Sequence, residues 1–325
     1  MKNRFIFFTI PVLSFLFFSL PAVSDDSAHA WLMKMSQAAR GMSYDGRFVY
    51  QHGNQLEAMR ITHQARNNVI RERLVSLNGA PREIIRRDEL VYCYLPDENS
   101  VMVAHQKAQK KSFPRILPSE ISRLDKSYIM MEGGSSRITN RKATLIIIKP
   151  RDQYRYGYRL WADNETGLLL KADLTNKKGE ALEQFMFTDV VINNKMTDDD
   201  FKPGFDTTGM VWHKEKKIPQ DDILTKRWKI RELPAGFVRS ASLHSLTPGQ
   251  GKPMSHLVYS DGLAAVSVFI EKAGLAADSD KTQGANEMGA IHSYRTIVKG
   301  YQVTVVGEVP ANTVKMIGSS IVLAR

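Results

Sequence analysis

The residue types that could carry out chemistry are few in this sequence, and their spacing matches no known catalytic pattern. The chain has eight histidines, and no two of them stand four residues apart as in a helical metal site. No Gly-x-Ser-x-Gly motif presents a nucleophilic serine. The single cysteine, Cys93, excludes an internal disulfide, a cysteine-based zinc site and an iron–sulfur cluster. We therefore expect a protein that is not an enzyme and has no metal or cofactor.

Basic side chains are the next group that could act on a ligand. The chain has 45 Lys and Arg against 34 Asp and Glu, a formal net charge of +11. Arg82, Arg86 and Arg87 stand together beside predicted apolar strands, where they could meet lipid phosphates or an acidic partner. A solvated face is the alternative for such a cluster. Nucleic acid is not expected as a partner, because the chain carries no aromatic and basic nucleic-acid-binding module.

Large apolar side chains recur on the predicted strands. If the helix that accompanies the sheet cannot fill its concave side, the remaining apolar side chains would line a groove for acyl chains. A well-filled core is the alternative, and the sequence leaves both open. The candidate lining residues, chosen from the strand alternation, are Phe48, Tyr50, Met59, Ile61, Tyr92, Tyr94, Tyr156, Tyr158 and Phe185.

The elements that would position these residues are one helix and a series of antiparallel strands. Apolar residues recur at helical spacing over residues 31–42. From there to about Ile192, apolar stretches alternate with turn residues such as Asn78-Gly79, which predicts a β-meander. A sheet of that kind must close or be covered. Besides the helix, the segment from about Lys107 to Lys126, which contains prolines, is the predicted cover.

The N-terminus has the pattern of an export signal. Lys2 and Arg4 precede an apolar run of about 16 residues, shorter than the roughly 20 that span a bilayer. Small residues at 22–24 follow, where a signal peptidase could cut. The sequence predicts a signal peptide over residues 1–24, with an uncleaved anchor as the alternative, and an exported mature chain that starts near Asp25.

Composition divides the mature chain into two units. An acidic stretch with proline and glycine follows Thr197 and predicts the end of the first domain. The second unit has short strand-like stretches, a hairpin turned at Gly300 and a closing helix from Pro310 to Ile317. The predicted units are a first domain over 25–205, a linker over 206–221 and a smaller C-terminal domain over 222–325.

Several segments of the chain resemble the RseB/MucB family of periplasmic regulators of an envelope-stress sigma factor. They are Asn78–Arg87 (NGAPREIIRR), Leu182–Phe185 (LEQF), Leu233–Phe237 (LPAGF), Tyr259–Leu263 (YSDGL) and Val303–Pro310 (VTVVGEVP). The segments occur in the order of the family and span nearly the whole mature chain. The resemblance is therefore specific, although none of the segments is catalytic.

The resemblance implies an α+β, mostly β protein. Its first domain would be an unclosed antiparallel β-barrel with covering helices, like the LolA/LolB lipoprotein carriers, and a smaller sheet-and-helix domain would follow. Its partner in the periplasm would be the periplasmic domain of a membrane-bound anti-sigma factor of the RseA/MucA type, which it would shield from the site-1 protease. Lipopolysaccharide or another acyl lipid would release that partner. Separately from the resemblance, a regulator with a large exposed apolar surface could self-associate as a homo-oligomer.

A periplasmic carrier or chaperone for lipid or lipoprotein is the alternative function, because it would use the same groove. A carrier would need only the first domain, so the presence of a second domain favours the regulator. The resemblance transfers no residue-level binding site. The apolar and basic residues named above are therefore the candidate site.

Overall fold

The computed structural model describes most of the mature chain. The predicted signal peptide, residues 1–24, lies outside the described residues. The described ranges are 25–66, 69–87, 90–105, 116–118, 120–192, 195–214, 227–246, 253–273 and 284–324.

The first domain consists of a helix and a twelve-stranded sheet. The helix α1 spans Asp25–Gly41 and begins before the predicted start at residue 31, because the fully buried Ala28 extends its apolar face. The strands are β1 (Tyr44–His52), β2 (Gln55–Arg66), β3 (Val69–Ser76), β4 (Glu83–Arg87), β5 (Leu90–Leu95), β6 (Ser100–His105), β7 (Tyr128–Ile138), β8 (Arg141–Pro150), β9 (Gly157–Asp163), β10 (Leu169–Thr175), β11 (Ala181–Ile192) and β12 (Val211–Lys214).

The strand order leaves this sheet open. The order is β12-β6-β5-β4-β3-β2-β1-β11-β10-β9-β8-β7, so β12 and β7 form the two edges within the described part of the chain. β12 lies inside the predicted linker 206–221 and pairs with β6 in parallel, whereas the other pairs of this sheet are antiparallel. The first sheet therefore continues into the segment that the composition assigned to a linker.

One face of the sheet is covered by α1 and by a 3₁₀ helix, Ile121–Lys126. Leu32 and Met35 of α1 join one buried cluster with Ile146 and Leu160 of the sheet, which places the first core between the helix and β7 to β10. The predicted cover, 107–126, is described at 116–118 and 120–126. There it contributes the 3₁₀ helix to the same core.

The second domain is a six-stranded antiparallel sheet with a helix packed against it. Its elements are β13 (Trp228–Ile230), β14 (Val238–Leu246), β15 (Pro253–Ser260), β16 (Ala265–Lys272), β17 (Gly284–Met288), β18 (Ile291–Val298), β19 (Tyr301–Gly307), α2 (Ala311–Ser320) and β20 (Ile321–Leu323). The strand order is β14-β15-β16-β19-β18-β17, and β13 pairs separately with β20. Val314 and Ile317 of α2 are fully buried in the core of this domain.

The predicted hairpin and closing helix of the second domain are present. β18 and β19 are joined at Lys299 and Gly300, with φ angles of 52° and 76°. Two successive positive φ angles are typical of the tight turns that connect hairpin strands. α2 follows Pro310 directly. The expected fold class is therefore confirmed: an unclosed, mainly antiparallel sheet with a covering helix, followed by a smaller sheet-and-helix domain.

Candidate functional site

The strand register defines which side chains share each face of the large sheet, because directly paired residues point to the same face. Leu160, which is buried in the same cluster as α1, pairs with Ala172, and Ala172 pairs with Phe185. Phe185 in turn pairs with Tyr50. We call the face that carries these residues the helix-side face and the opposite face the outer face.

Several predicted groove residues lie on the helix-side face and fill the core. Buried together, each at most 6% exposed, are Phe48, Met59, Ile61 and Phe185. The rings of Phe48 and Phe185 lie 4.9 Å apart. Tyr50 packs at the margin of this cluster, and its hydroxyl donates a hydrogen bond to the carboxylate of Glu183. This part of the helix-side face is therefore a packed core.

Tyr156 and Tyr158 lie where the large sheet meets the second domain. Both pack into one apolar cluster with Ala290, which belongs to the second domain. The Tyr156 hydroxyl lies 3.4 Å from Nδ1 of His292. Burial, followed by the nearby carboxylate of Glu308, raises the pKa of Tyr156 to about 12. These two candidates are therefore part of the contact between the domains.

Tyr92 and Tyr94 lie on the outer face. Leu74 packs against the helix-side core and pairs with Ile84, which pairs with Cys93. Cys93 therefore faces the helix side, and its two neighbours in the strand face outwards. The predicted groove residues are thus divided between two faces of the sheet and do not line one groove.

The helix-side face stays accessible at the β4 to β6 end. Ile84, Val91 and Cys93 are half-buried there, and Met102, which pairs with Cys93, is 53% exposed. The sequence did not indicate this apolar patch, because the bulky tyrosines of β5 were the more obvious candidates for a groove. The alternation along β5 and β6 contained the signal, since Cys93 and Met102 must share a face once these two strands pair.

The three basic candidates differ in their surroundings. Arg82 pairs with Glu57 at 3.0 Å, and Arg86 pairs with Glu72. Arg87 is exposed at the end of β4. Among the three, Arg87 is therefore the side chain that meets solvent most directly.

Arg86 belongs to a buried charged group on the helix-side face. The carboxylate of Glu72 is fully buried, and it also lies 3.0 Å from Nδ1 of the buried His63. A buried carboxylate needs such partners, because removing a charge from water costs several kcal/mol unless it is paired and hydrogen-bonded. Arg86 and His63 therefore support the fold around Glu72, and a ligand would reach Arg86 only by competing with that carboxylate.

The segments Leu233–Phe237 and Tyr259–Leu263 meet the first domain in a common joint. The turn between β15 and β16 inserts Leu263 into the core cluster beneath α1, where this side chain is 4% exposed. Asp261 precedes it, and its Oδ1 accepts hydrogen bonds from the backbone N–H groups of Leu263 and Ala264. The second domain thus supplies part of the core of the first.

A buried ion pair fixes this joint. Nη1 of Arg155 lies 2.5 Å from Oδ2 of Asp261, and both side chains are fully buried. The Tyr128 hydroxyl donates to the same oxygen at 2.9 Å. Nη2 of Arg155 donates to the backbone carbonyl of Ala235 at 2.7 Å, and its guanidinium lies 5.2 Å from the centre of the Phe237 ring. One arginine of the first domain therefore holds two separate segments of the second.

Within the described part of the chain, no helix is long and apolar enough to cross a membrane. The same residues contain no group of three or more His, Cys, Asp or Glu that could hold a metal ion.

Both halves of the chain match models of a single protein family. Residues 27–205 match the MucB/RseB N-terminal domain, and residues 222–322 match the MucB/RseB C-terminal domain. The chain is 33% identical over 305 residues to the sigma factor AlgU regulatory protein MucB of Pseudomonas aeruginosa, covering 93% of each protein. It is 26% identical over 308 residues to the sigma-E factor regulatory protein RseB of Escherichia coli, covering 94% of each.

Solved structures give the same result. A crystal structure of MucB in complex with MucA(peri) superposes with a TM-score of 0.70 at 30% identity, covering 92% of this chain and 99% of that one. The Pseudomonas aeruginosa MucA/MucB complex gives a TM-score of 0.71 at 31% identity, with the same coverage.

Proposed function

The chain belongs to the MucB/RseB family, and we propose that it binds the periplasmic region of a membrane anti-sigma factor. In this proposal the bound regulator shields that region from site-1 proteolysis and so restrains the envelope-stress sigma factor. The observation that carries the proposal is the match over both domains to MucB, a protein whose structure has been solved with MucA(peri). The chain would act in the periplasm as a binding protein and not as an enzyme.

The joint between the domains supports this function. A regulator that protects an extended partner segment needs a surface of fixed shape, and Leu263 and the Arg155–Asp261 pair hold the two domains together. A partner that touches both domains would then bind a preformed surface, which lowers the entropy cost of association.

Release by an acyl lipid or lipopolysaccharide is the second part of the proposal. By linkage, a lipid that binds the partner-free regulator more tightly than the partner-bound regulator weakens the binding of the partner. The partner weakens the binding of the lipid by the same factor. The helix-side patch of the half-buried Ile84, Val91 and Cys93 and the exposed Met102 supports this role, because its accessible apolar surface could take an acyl chain. The exposed Arg87 at the end of β4 could meet a phosphate.

The test uses the mature chain, starting near Asp25, and the purified periplasmic domain of its cognate anti-sigma factor. Titration calorimetry would give their affinity with and without lipopolysaccharide, and site-1 protease would report cleavage of the partner in the same mixtures. We expect binding and protection, both weakened by lipopolysaccharide. Absence of binding both with and without lipopolysaccharide would contradict the proposed function.

A matched pair of variants tests the lipid patch. Met102→Glu places a charge on the helix-side face at a residue that is 53% exposed, and Val191→Glu places one on the outer face at a residue that is 56% exposed. Only Met102→Glu should reduce the effect of lipopolysaccharide on partner binding. Equal effects of the two variants would show that the patch is not the lipid site.

A lipid or lipoprotein carrier is the second candidate function, and the exposed Met102 favours it. Transfer of a labelled lipid from donor to acceptor vesicles would identify a carrier. The whole chain is the right material, because deleting the second domain would remove Leu263 from the first core and leave Arg155 without Asp261. Transfer by the whole chain, without binding to the anti-sigma domain, would establish the carrier instead.

A further inference from the structure

The outer face carries a preformed apolar pocket at the edge strand β12. The cavity has a volume of about 660 Å³ and is lined by Leu90, Tyr92, Val103, His105, Trp212 and Lys214. Trp212 stands edge-on to Tyr92 and Tyr94, with ring centres 6.4 Å and 6.2 Å apart. A space of this size accommodates a large side chain of a partner.

β12 also exposes apolar side chains, which edge strands usually avoid. Val211 is 54% exposed and Trp212 is 45% exposed. Natural edge strands are commonly protected by charges, prolines, bulges or a covering element, because their free backbone groups invite pairing with another strand. An edge with two exposed apolar residues in four is therefore suited to contact with another polypeptide.

The backbone of β12 is placed to receive such a strand. The N–H of Val211 donates to the carbonyl of Asn99 at 2.9 Å, on the side of β6. Because successive residues of a strand direct their backbone groups to alternate sides, the N–H and C=O groups of Trp212 and Lys214 point away from β6. Among the described strands none pairs with this side of β12, so these groups form a hydrogen-bonding edge directly beside the pocket.

The charges around the pocket select the kind of strand. The ammonium of Lys214 lies in its wall beside the imidazole of His105, and none of the lining residues that the structure describes is a carboxylate. A ligand with an apolar side chain and acidic side chains two residues away would place the carboxylates near Lys214 and His105, because alternate residues share a face.

We propose that the β12 edge is a docking site for an extended acidic peptide, which would add a strand beside Trp212 and Lys214 and insert an apolar side chain into the outer pocket. This mode of recognition takes affinity from main-chain hydrogen bonds and specificity from the pocket. The site lies on the outer face, and the inference does not depend on the identity of the anti-sigma partner.

The test uses the mature chain and three synthetic peptides. The acidic probe is acetyl-Glu-Thr-Phe-Thr-Glu-amide; the controls replace both Glu by Lys or replace Phe by Ala. Tryptophan fluorescence would follow binding, with Trp212→Phe identifying the responding ring, and amide hydrogen exchange would report protection at residues 212 and 214. We expect saturable binding and protection with the acidic Phe peptide, and weaker binding of both controls.

Variants of Lys214 separate the backbone contribution from the charge. Lys214→Ala removes the ammonium and keeps the N–H, whereas Lys214→Pro removes both without breaking a hydrogen bond to β6. The loss of one strand hydrogen bond should make Lys214→Pro bind about tenfold more weakly than Lys214→Ala. His213→Ala is the matched control, because this side chain faces the other side of the sheet, and it should bind like wild type.

Three results would overturn the inference. The first is the absence of amide protection at millimolar acidic peptide. The second is equal affinity of Lys214→Pro and Lys214→Ala. The third is binding of dodecyl phosphate that prevents peptide binding and is itself unaffected by Lys214→Pro, since the pocket would then be a site for amphiphiles rather than for a peptide strand.

Discussion

Asp261→Asn is the most direct perturbation of the joint between the domains. The Asp261 carboxylate accepts hydrogen bonds from Arg155, Tyr128 and the backbone N–H groups of Leu263 and Ala264. Asparagine has nearly the same shape, and its carbonyl oxygen can still accept the two backbone bonds. Its NH₂ group, however, would face the Arg155 guanidinium and the Tyr128 hydroxyl, neither of which could donate to it. The variant therefore removes the charge with little change in packing volume.

The size of the effect follows from the burial of the pair. Removing one partner of a buried ion pair costs about 3–5 kcal/mol, because the other charge stays buried without compensation. Arg155 keeps a contact of 2.8 Å to Asp152, whose side chain is 27% exposed. This remaining partner places the expected loss at the lower end, about 3 kcal/mol. For domains of this size, such a loss lowers the unfolding temperature by about 6–12 °C.

The assay is calorimetric unfolding combined with small-angle scattering of the full mature chain. We expect Asp261→Asn to lower the unfolding temperature, to separate the unfolding of the two domains into distinct transitions, and to increase the radius of gyration. Asp152→Asn is the matched control, because it makes the same change on the exposed side of the same arginine. Its cost should be about 1 kcal/mol, with the domains still unfolding together.

Two outcomes would refute this account of the joint. An unfolding temperature within a degree of wild type would show that the Arg155–Asp261 pair contributes little. Equal losses for Asp261→Asn and Asp152→Asn would show that Arg155 acts within the first domain alone. The double variant Arg155→Met/Asp261→Asn separates charge from packing, and it should be more stable than Asp261→Asn because no buried charge is left without its counterion.

Three further predictions concern side chains at the joint and in the core. Leu263→Ala should cost about 2–5 kcal/mol in chemical unfolding, because it leaves a cavity under α1; an unchanged midpoint would contradict this. Glu72→Gln should cost about 3 kcal/mol, since it removes the buried negative charge that Arg86 contacts, and Glu72→Gln/Arg86→Met should recover part of that loss. The pKa of Tyr156 is raised from 10.0 to about 12 in the folded protein, so ionisation of this side chain is less favourable in the folded than in the unfolded state. The fold is therefore more stable below pH 10, and this contribution is lost as the pH rises towards 12. Tyr156→Phe should therefore gain about 1.4 kcal/mol relative to wild type between pH 9 and pH 11 in urea unfolding, and parallel pH profiles would refute it.

The fold could be predicted from the sequence wherever local patterns decide it. Turn residues between alternating apolar stretches predicted the meander, and Gly300 and Pro310 marked the last hairpin and α2. The start of α1 was placed too late, because the small Ala28 is the one apolar residue in a first turn that is otherwise polar. β12 was missed inside the predicted linker, since a four-residue strand that pairs in parallel with β6 has no local signature.

The candidate site was less predictable, because it depends on register and on distant contacts. A one-residue difference in position moves a side chain to the opposite face of a sheet. This is why Tyr92 and Tyr94 belong to the outer face, while Cys93 between them belongs to the helix-side face. The Arg155–Asp261 pair joins residues 106 positions apart, and nothing in either segment alone identifies the other.

The joint places a physical condition on any regulation by ligands. A ligand on the large sheet can change binding at the second domain only if both sites bias the same two-state element. Arg155 is one residue through which such a bias would pass, because it contacts Asp152 in its own domain and both Ala235 and Asp261 in the other. Since Leu263 is buried in the first core, a movement of the second domain would also expose apolar surface there. The free energy that holds the joint together therefore opposes coupling between lipid binding and partner binding, and this free energy can be measured. A variant that loosens the joint should change that coupling even where each ligand still binds its own surface.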